Sequence, residues 1–343
     1  MSSVPPDPLS APLRLVIDLT GRCNLRCAYC CFFSNPDESS RADMPVDRWV
    51  DLIDDAGRCG VLQLILRGGE ALLSPAFRPV VESAVRNRMR FSFLTNGKLF
   101  TEDTARWIAA TGRCDMVKIS LDGPEDVHDP VRGRGSHAAA LRAMEIARAA
   151  GLKLKVTCAV HRFNWRRLPE IVSYMVDELK LSNVSFSAVT YCEASEYMLS
   201  EADFRGAVDM LCRHARPEMS GGGMVGGIRR WRAMLKGTAA CGECRLLYSR
   251  MGVLPDGSFV PCVTLSGVLL GRAGRESVAE AWAALKARPE LGRREYPDPG
   301  CASCRYSQVC RGVCRGLLDS EIGGDWRYFC LRRHLESPWG GSL

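Results

Sequence analysis

From residue 13 to about residue 216 the chain alternates short apolar or β-branched runs with longer amphipathic ones, the pattern of βα units around a parallel sheet. The short runs predict strands over Leu13–Asp18, Leu62–Leu66, Phe91–Leu94, Met116–Ser120, Lys153–Val160 and Val184–Ala188. Between them, helical spacing predicts a helix over Val46–Gly57 with Trp49, Leu52 and Ile53 on one face. A second covers Ala138–Ala149 with Leu141, Met144 and Ile146. Each predicted strand runs into a segment rich in Gly, Asn, Asp or Cys: TGRCNLRCAYC, RGGE, TNG, SLDG, HRFN and VTYCE. In α/β barrels the loops after the carboxyl ends of the strands carry the functional groups, so these segments are expected to meet at one mouth. Six strands instead of eight predict an open, partial barrel with room for a large substrate.

After a helical run ending near His214, Arg216-Pro217 and the glycine-rich segment 220–227 break the pattern and mark a connection between modules. The rest of the chain reads as short runs, Gly- and Pro-punctuated and dense in cysteine, with one predicted helix at Val278–Ala287. Such a stretch needs staples, and metal clusters would supply them. The expected division is an extension at 1–12, the barrel at 13–216, a connector at 217–240, a cysteine-rich domain at 241–335 and a tail at 336–343.

The formal charge of +7, from 46 basic and 39 acidic side chains spread along the chain, describes a solvated surface and argues against nucleic acid as a partner. The N-terminus has no basic region ahead of an apolar stretch, and no apolar run is long enough to cross a bilayer, which points to a cytoplasmic protein with no membrane partner. Seventeen cysteines then become the main question, because a reducing compartment favours metal sites over disulfides. Three cluster at 23 to 30 and eight lie between 241 and 330, which suggests two metal-bearing regions.

Cys23, Cys27 and Cys30 have the spacing CxxxCxxC directly after the first predicted strand. Three thiolates on a four-iron cube leave one iron open to a ligand that a cofactor supplies. A structural zinc would prefer four protein ligands, and the adjacent Cys31 reads as a buried neighbour.

In this arrangement the sequence resembles the radical S-adenosylmethionine (SAM) superfamily, whose hallmark is CxxxCxxC after the first strand of a partial (β/α)6, TIM-like barrel. Tyr29 matches the aromatic residue that commonly precedes the last ligand. Gly68-Gly69-Glu70 resembles the segment that binds the methionine amino group. Ser120 and Asp122 of SLDG, and Arg132 of HDPVRG, resemble residues that hold the carboxylate and ribose of SAM. Thr95-Asn96-Gly97 matches the third-strand loop, with Asn96 among the expected cofactor contacts. The resemblance implies reductive cleavage of SAM to a 5′-deoxyadenosyl radical that takes a hydrogen atom from the substrate.

Further along, Cys244, Gly257 and Cys262, then Cys301, Cys304, Cys310 and Cys314, then Cys330 resemble the SPASM domain at every one of its seven cysteines. The resemblance implies two auxiliary four-iron clusters, three clusters in all. Cys244, Cys262 and Cys314 would hold the first, with Cys241 as fourth ligand, and Cys301, Cys304, Cys310 and Cys330 the second. Cys241 lies outside the seven-cysteine pattern; without it the first auxiliary cluster would have an open iron for substrate. Cys59, Cys114, Cys158 and Cys212 read as small apolar fillers, and Cys192 as a loop residue near the mouth.

Members of the family modify peptides and proteins, or oxidise aminocyclitols, sugars and nucleosides. Sulfatase-maturing members carry an Asp after the position of Cys262, where this chain has Val263, which argues against that activity. The barrel begins at residue 13, so no leader-recognition domain is expected before it, and a separate leader-binding protein could serve instead. The reading favoured is maturation of a ribosomally made peptide, with a small-molecule dehydrogenase or decarboxylase of antibiotic biosynthesis as the alternative and an iron–sulfur electron carrier as a third. A low-potential donor such as a flavodoxin or ferredoxin is the implied redox partner. Tyr191, Glu193, Glu196 and His161 are candidate polar groups of the mouth.

Overall fold

A computed structural model of the chain describes residues 9–30, 42–189, 195–219, 249–263, 265–288, 291, 299–301 and 303–304. Its strands are β1 (Arg14–Asp18), β2 (Gln63–Arg67), β3 (Arg90–Thr95), β4 (Cys114–Ser120), β5 (Leu154–Val160) and β6 (Val184–Ala188), each within two residues of its predicted bounds. The helices between and after them are α1 (Val46–Arg58), α2 (Phe77–Arg86), α3 (Glu102–Ala110), α4 (Glu125–Arg132), α5 (Ser136–Ala149), α6 (Leu168–Ser173) and α7 (Glu201–Arg213).

The burial pattern explains why these runs are strands. Leu15, Ile17, Leu64, Leu66, Phe91, Phe93, Val117, Ile119, Val156 and Cys158 are fully buried and join the helices in one core. Alternate residues turn to the other face, which carries Lys118, Ser120, Lys155, Thr157, Ser185 and Ser187. A closed eight-stranded barrel fills this inner face with branched apolar side chains. Here it mixes those polar side chains with Val16, Ile65, Leu94 and Met116 and is, for the most part, half-buried, as in the lumen of an open barrel.

The sheet curls strongly. The charges of Arg14 on β1 and Arg250 further along the chain both bear on Lys118 of β4, although β1 is three strands away. At about 4.8 Å per strand a flat sheet would hold β1 and β4 roughly 14 Å apart.

One expectation is corrected and one is extended. Helix α5 buries Ala139, Ala140, Ala143, Met144 and Ala147, while Leu141 and Ile146 are only partly buried at its flank. The sheet also does not stop at six strands. β7 (Arg250–Val253) pairs in parallel with β1, and β8 (Ser258–Val260) and β9 (Gly271–Arg272) extend it antiparallel, giving the order β6-β5-β4-β3-β2-β1-β7-β8-β9. These strands have four, three and two residues, too short to leave a period in the sequence.

The cysteine-rich region is thus sewn to the barrel. Helix α8 (Val278–Lys286), at its predicted place, starts with a capping box between Ser277 and Glu280, and its Val278 N–H donates to Asp55 on α1 at 2.8 Å. The Trp282 indole donates to the Leu9 carbonyl at 2.6 Å, which fixes the N-terminal extension on the same helix. Barrel packing also runs past residue 216: Val184 N–H donates to the Glu218 carbonyl at 2.9 Å, and Met219 is fully buried.

Candidate active site

The loop after β1 carries Cys23, Cys27 and Cys30, and its shape is set by what lies beneath it. Asp43 accepts from the Thr20 hydroxyl at 2.7 Å, the Gly21 N–H at 3.1 Å and the Arg22 guanidinium at 3.1 Å, gathering the start of the loop around one carboxylate. Nothing in the sequence pattern marked Asp43. From the other side, Gly69 N–H donates to the Thr20 carbonyl at 2.9 Å and Glu70 N–H to the Arg22 carbonyl at 2.8 Å. A Cβ on Gly69 would stand 2.2 Å from the Arg22 carbonyl oxygen, and Gly68 adopts φ 131° against Thr20. Both glycines exist so that the β2 loop can lie directly on the cysteine loop.

Glu70, 2% exposed, accepts the Asn96 N–H at 2.8 Å and the Leu72 N–H at 3.4 Å. Burial raises its pKa above the ordinary carboxylate value, against those hydrogen bonds. Asn96 in turn donates through Nδ2 to Asn24 at 2.8 Å and lies 3.9 Å from the Cys23 sulfur. The Leu25 N–H points at the same sulfur from 3.4 Å.

The far side of the site is a charged network sealed under Tyr29. Asp122, fully buried, accepts from Arg132 Nε at 2.7 Å, Arg132 Nη2 at 3.2 Å, the Ala159 N–H at 2.9 Å and the Tyr29 hydroxyl. Burial pushes the Asp122 carboxyl up, but the Arg132 charge and these hydrogen bonds outweigh it and hold its pKa below the usual range. The Arg132 guanidinium sits over the Tyr29 ring, 5.4 Å from its centroid. His128, on the HDPVRG segment, accepts the Asp122 N–H at 3.0 Å, and burial lowers its pKa to about 4. Ser120 ends β4 on the lumen face, two residues before Asp122.

His161, expected at the mouth, is 1% exposed and stacks on Tyr29 at 5.5 Å. Its Nδ1 accepts the Phe163 N–H at 3.2 Å, which leaves the proton on Nε2, and Nε2 has no partner among the described residues. Burial holds this ring neutral, with a pKa of about 4. Tyr197 and Phe163 complete an aromatic wall with Tyr29 and His161, a feature with no sequence spacing to reveal it. Glu196 is exposed, and Tyr191, Cys192 and Glu193 lie outside the described residues.

Cys23, Cys27 and Cys30 bear on one another electrostatically, and burial pushes the Cys27 thiol up to about 11. Among the described residues no three metal-ligating side chains close around a single ion. Three thiols on one loop are the donor set of a four-iron cube that keeps one corner open.

Two family models match the chain: the radical SAM superfamily over residues 17–175, and the iron-sulfur cluster-binding SPASM domain over residues 244–305. The chain is a radical SAM enzyme with a SPASM domain. It is 28% identical over 323 residues to a PqqA peptide cyclase of Streptomyces rochei, covering 90% of this chain and 85% of that protein. It is 29% identical over 337 residues to the mycofactocin maturase MftC of Mycolicibacterium smegmatis, covering 92% and 83%. Among solved structures, native anSMEcpe with bound AdoMet superposes with a TM-score of 0.75 at 21% identity, covering 94% of this chain and 97% of that one, which supports the partial-barrel fold.

Of the SPASM cysteines, Cys262 lies two residues past the end of β8, and the Cys304 N–H donates to the Cys301 carbonyl at 3.2 Å in the turn that spaces the pair. Cys241, Cys244, Cys310, Cys314 and Cys330, and also Cys31, lie outside the described residues. Cys158 is fully buried in the core, and Cys59, Cys114 and Cys212 pack against it, as expected of fillers.

Proposed function

We propose that this radical SAM/SPASM enzyme modifies a ribosomally made peptide, abstracting a hydrogen atom from it to form a new or oxidised bond. The observation that carries the reading is a joint one. The cysteine loop, Glu70 and the Asp122–Arg132–Tyr29 network meet at the carboxyl ends of one curled sheet, above a lumen that carries Lys118, Ser120, Lys155 and Thr157. The relatives that match nine-tenths of the chain are named for a peptide cyclase and a maturase.

Cys23, Cys27 and Cys30 would hold the SAM-binding cluster, and the cluster with SAM supplies the electron transfer that starts the radical chemistry. Glu70, Gly68 and Gly69 would receive the methionine amino group, with Asn96 hydrogen-bonding toward the sulfur of Cys23. Ser120 and Arg132 would face the carboxylate and ribose. Asp122 already accepts from four donors, which fills its lone-pair sites, so its part is to fix Arg132 and Tyr29. Eight cysteines from Cys241 to Cys330 would hold two auxiliary clusters, for three in all, fed by a flavodoxin or ferredoxin in the cytoplasm. A separate leader-binding protein would present the peptide.

The test is anaerobic reconstitution, reduction, and incubation with SAM and peptides encoded beside the gene. Growth of 5′-deoxyadenosine with a matching change in peptide mass is expected. Acceleration by sugars or nucleosides, with none by any such peptide, would replace this reading with the small-molecule one.

A further inference from the structure

Lys118 and Lys155 are direct register partners on β4 and β5, so their side chains leave the sheet on the same face, side by side, into the lumen. Like charges in that relation destabilise a sheet unless something answers them. Some charges of this face are answered: Asp18 pairs with Arg67 at 2.6 Å, and Asp115 pairs with Arg90 while accepting from Gln63 at 2.6 Å. No carboxylate among the described residues pairs with Lys118 or Lys155. The charges of Arg250 and Arg14, and of Arg67 with its Asp18 partner, also bear on Lys118. Burial, then this repulsion, lowers the Lys118 pKa, and burial lowers that of Lys155. The neighbouring Thr157 and Ser185 hydroxyls, 3.3 Å apart, offer hydrogen bonds but no charge.

We propose that the Lys118–Lys155 pair is the substrate-recognition site for a carboxylate, and that the enzyme therefore acts on an acidic segment of peptide. The proposal rests on the peptide-modifying reading and names the chemistry of that substrate. A glutamate or aspartate side chain would neutralise two desolvated, mutually repelling ammonium groups, and each of them supplies donors. Depth in the lumen adds a positional consequence. Lys118 lies two residues below Ser120 and four below Asp122 along β4. At about 3.3 Å per residue of extended chain, that is roughly 7 to 13 Å. An extended peptide anchored by its carboxylate at the lysines would bring a residue about two to four positions away beneath the cysteine loop.

The test uses reconstituted holoenzyme with SAM and two fluorescein-labelled probe peptides of identical length, one carrying paired Glu residues and its twin Gln at the same places. Anisotropy is expected to show the Glu peptide binding about tenfold tighter or better. The double variant Lys118→Met/Lys155→Met should bring the two within about twofold, while a charge-matched control, Lys153→Met/Lys286→Met, keeps the preference. Iron content and far-UV circular dichroism of both variants should match those of the unaltered enzyme, which shows that fold and clusters are intact. Equal binding of the twins, no binding of either, or a preference that survives in the Lys118/Lys155 variant overturns the proposal. Glutarate is the second arm. If it binds through the lysines and the Glu peptide gains nothing over it, the carboxylate site stands and the peptide reading falls.

Discussion

Arg132 Nε lies 2.7 Å from Asp122 Oδ2 beneath the cysteine loop, with both side chains out of solvent. Breaking a buried pair strands the surviving charge, so Asp122→Asn should cost about 3–5 kcal/mol of stability. Converting the partner as well, in Asp122→Asn/Arg132→Met, should recover part of that loss. Chemical denaturation of the four corners of this cycle at neutral pH measures the coupling. Because the folded pKa of Asp122 is depressed, its contribution is complete above the ordinary carboxylate range near 4 and is lost as pH falls through the lower folded value. The penalty of the variant should shrink over that same fall.

The two buried histidines predict a second dependence on pH. His128 and His161 have pKa values of about 4, against 6.5 for the free side chain. The unfolded chain therefore binds more protons between those values, and stability should fall as pH drops from about 6.5 toward 4, by up to about 3 kcal/mol per histidine. In His161→Phe, which keeps a ring against Tyr29, this part of the loss should be roughly halved. Urea midpoints of the cluster-free, reduced chain at several pH values decide it.

Gly69→Ala would place a methyl group 2.2 Å from the Arg22 carbonyl oxygen and 3.1 Å from Cys23 Cβ. Overpacking of this kind costs about 1–3 kcal/mol. Here it also displaces the loop that carries the ligands, so iron retained after reconstitution should fall along with the melting temperature. Gly267→Ala, with nothing within 4 Å, should change neither.

Cysteines of the two kinds should separate cleanly. Cys27→Ala is expected to lower iron content by about four atoms per chain and abolish SAM cleavage, leaving auxiliary-cluster spectra in place. Cys158→Val, at a fully buried core position, should keep the full iron content and the cleavage. Iron analysis and electron paramagnetic resonance of the reduced proteins give the answer.

The six barrel strands and their loops were legible because each strand alternates a core face with a lumen face, and each ends in a motif of small or chemically active residues. Helix α5 shows how the reading fails in detail: alanines make the close contact, and the larger Leu141 and Ile146 stay at its edge. A periodicity reading weights size, whereas the helix docks where its side chains are smallest. Asp43, Tyr197 and the stacking of His161 on Tyr29 were invisible for another reason, since each acquires its meaning from partners distant in sequence. The Lys118–Lys155 pair needed register, which one strand does not contain.

The pairing of β7 with β1 has a consequence for dissection of the protein. A fragment ending before residue 249 would bare the hydrogen-bonding edge of β1, the strand that leads into Cys23. An unprotected edge invites strands from other molecules. Excised barrels should therefore stick to one another, and domain swaps among relatives should keep β7 with the barrel it completes.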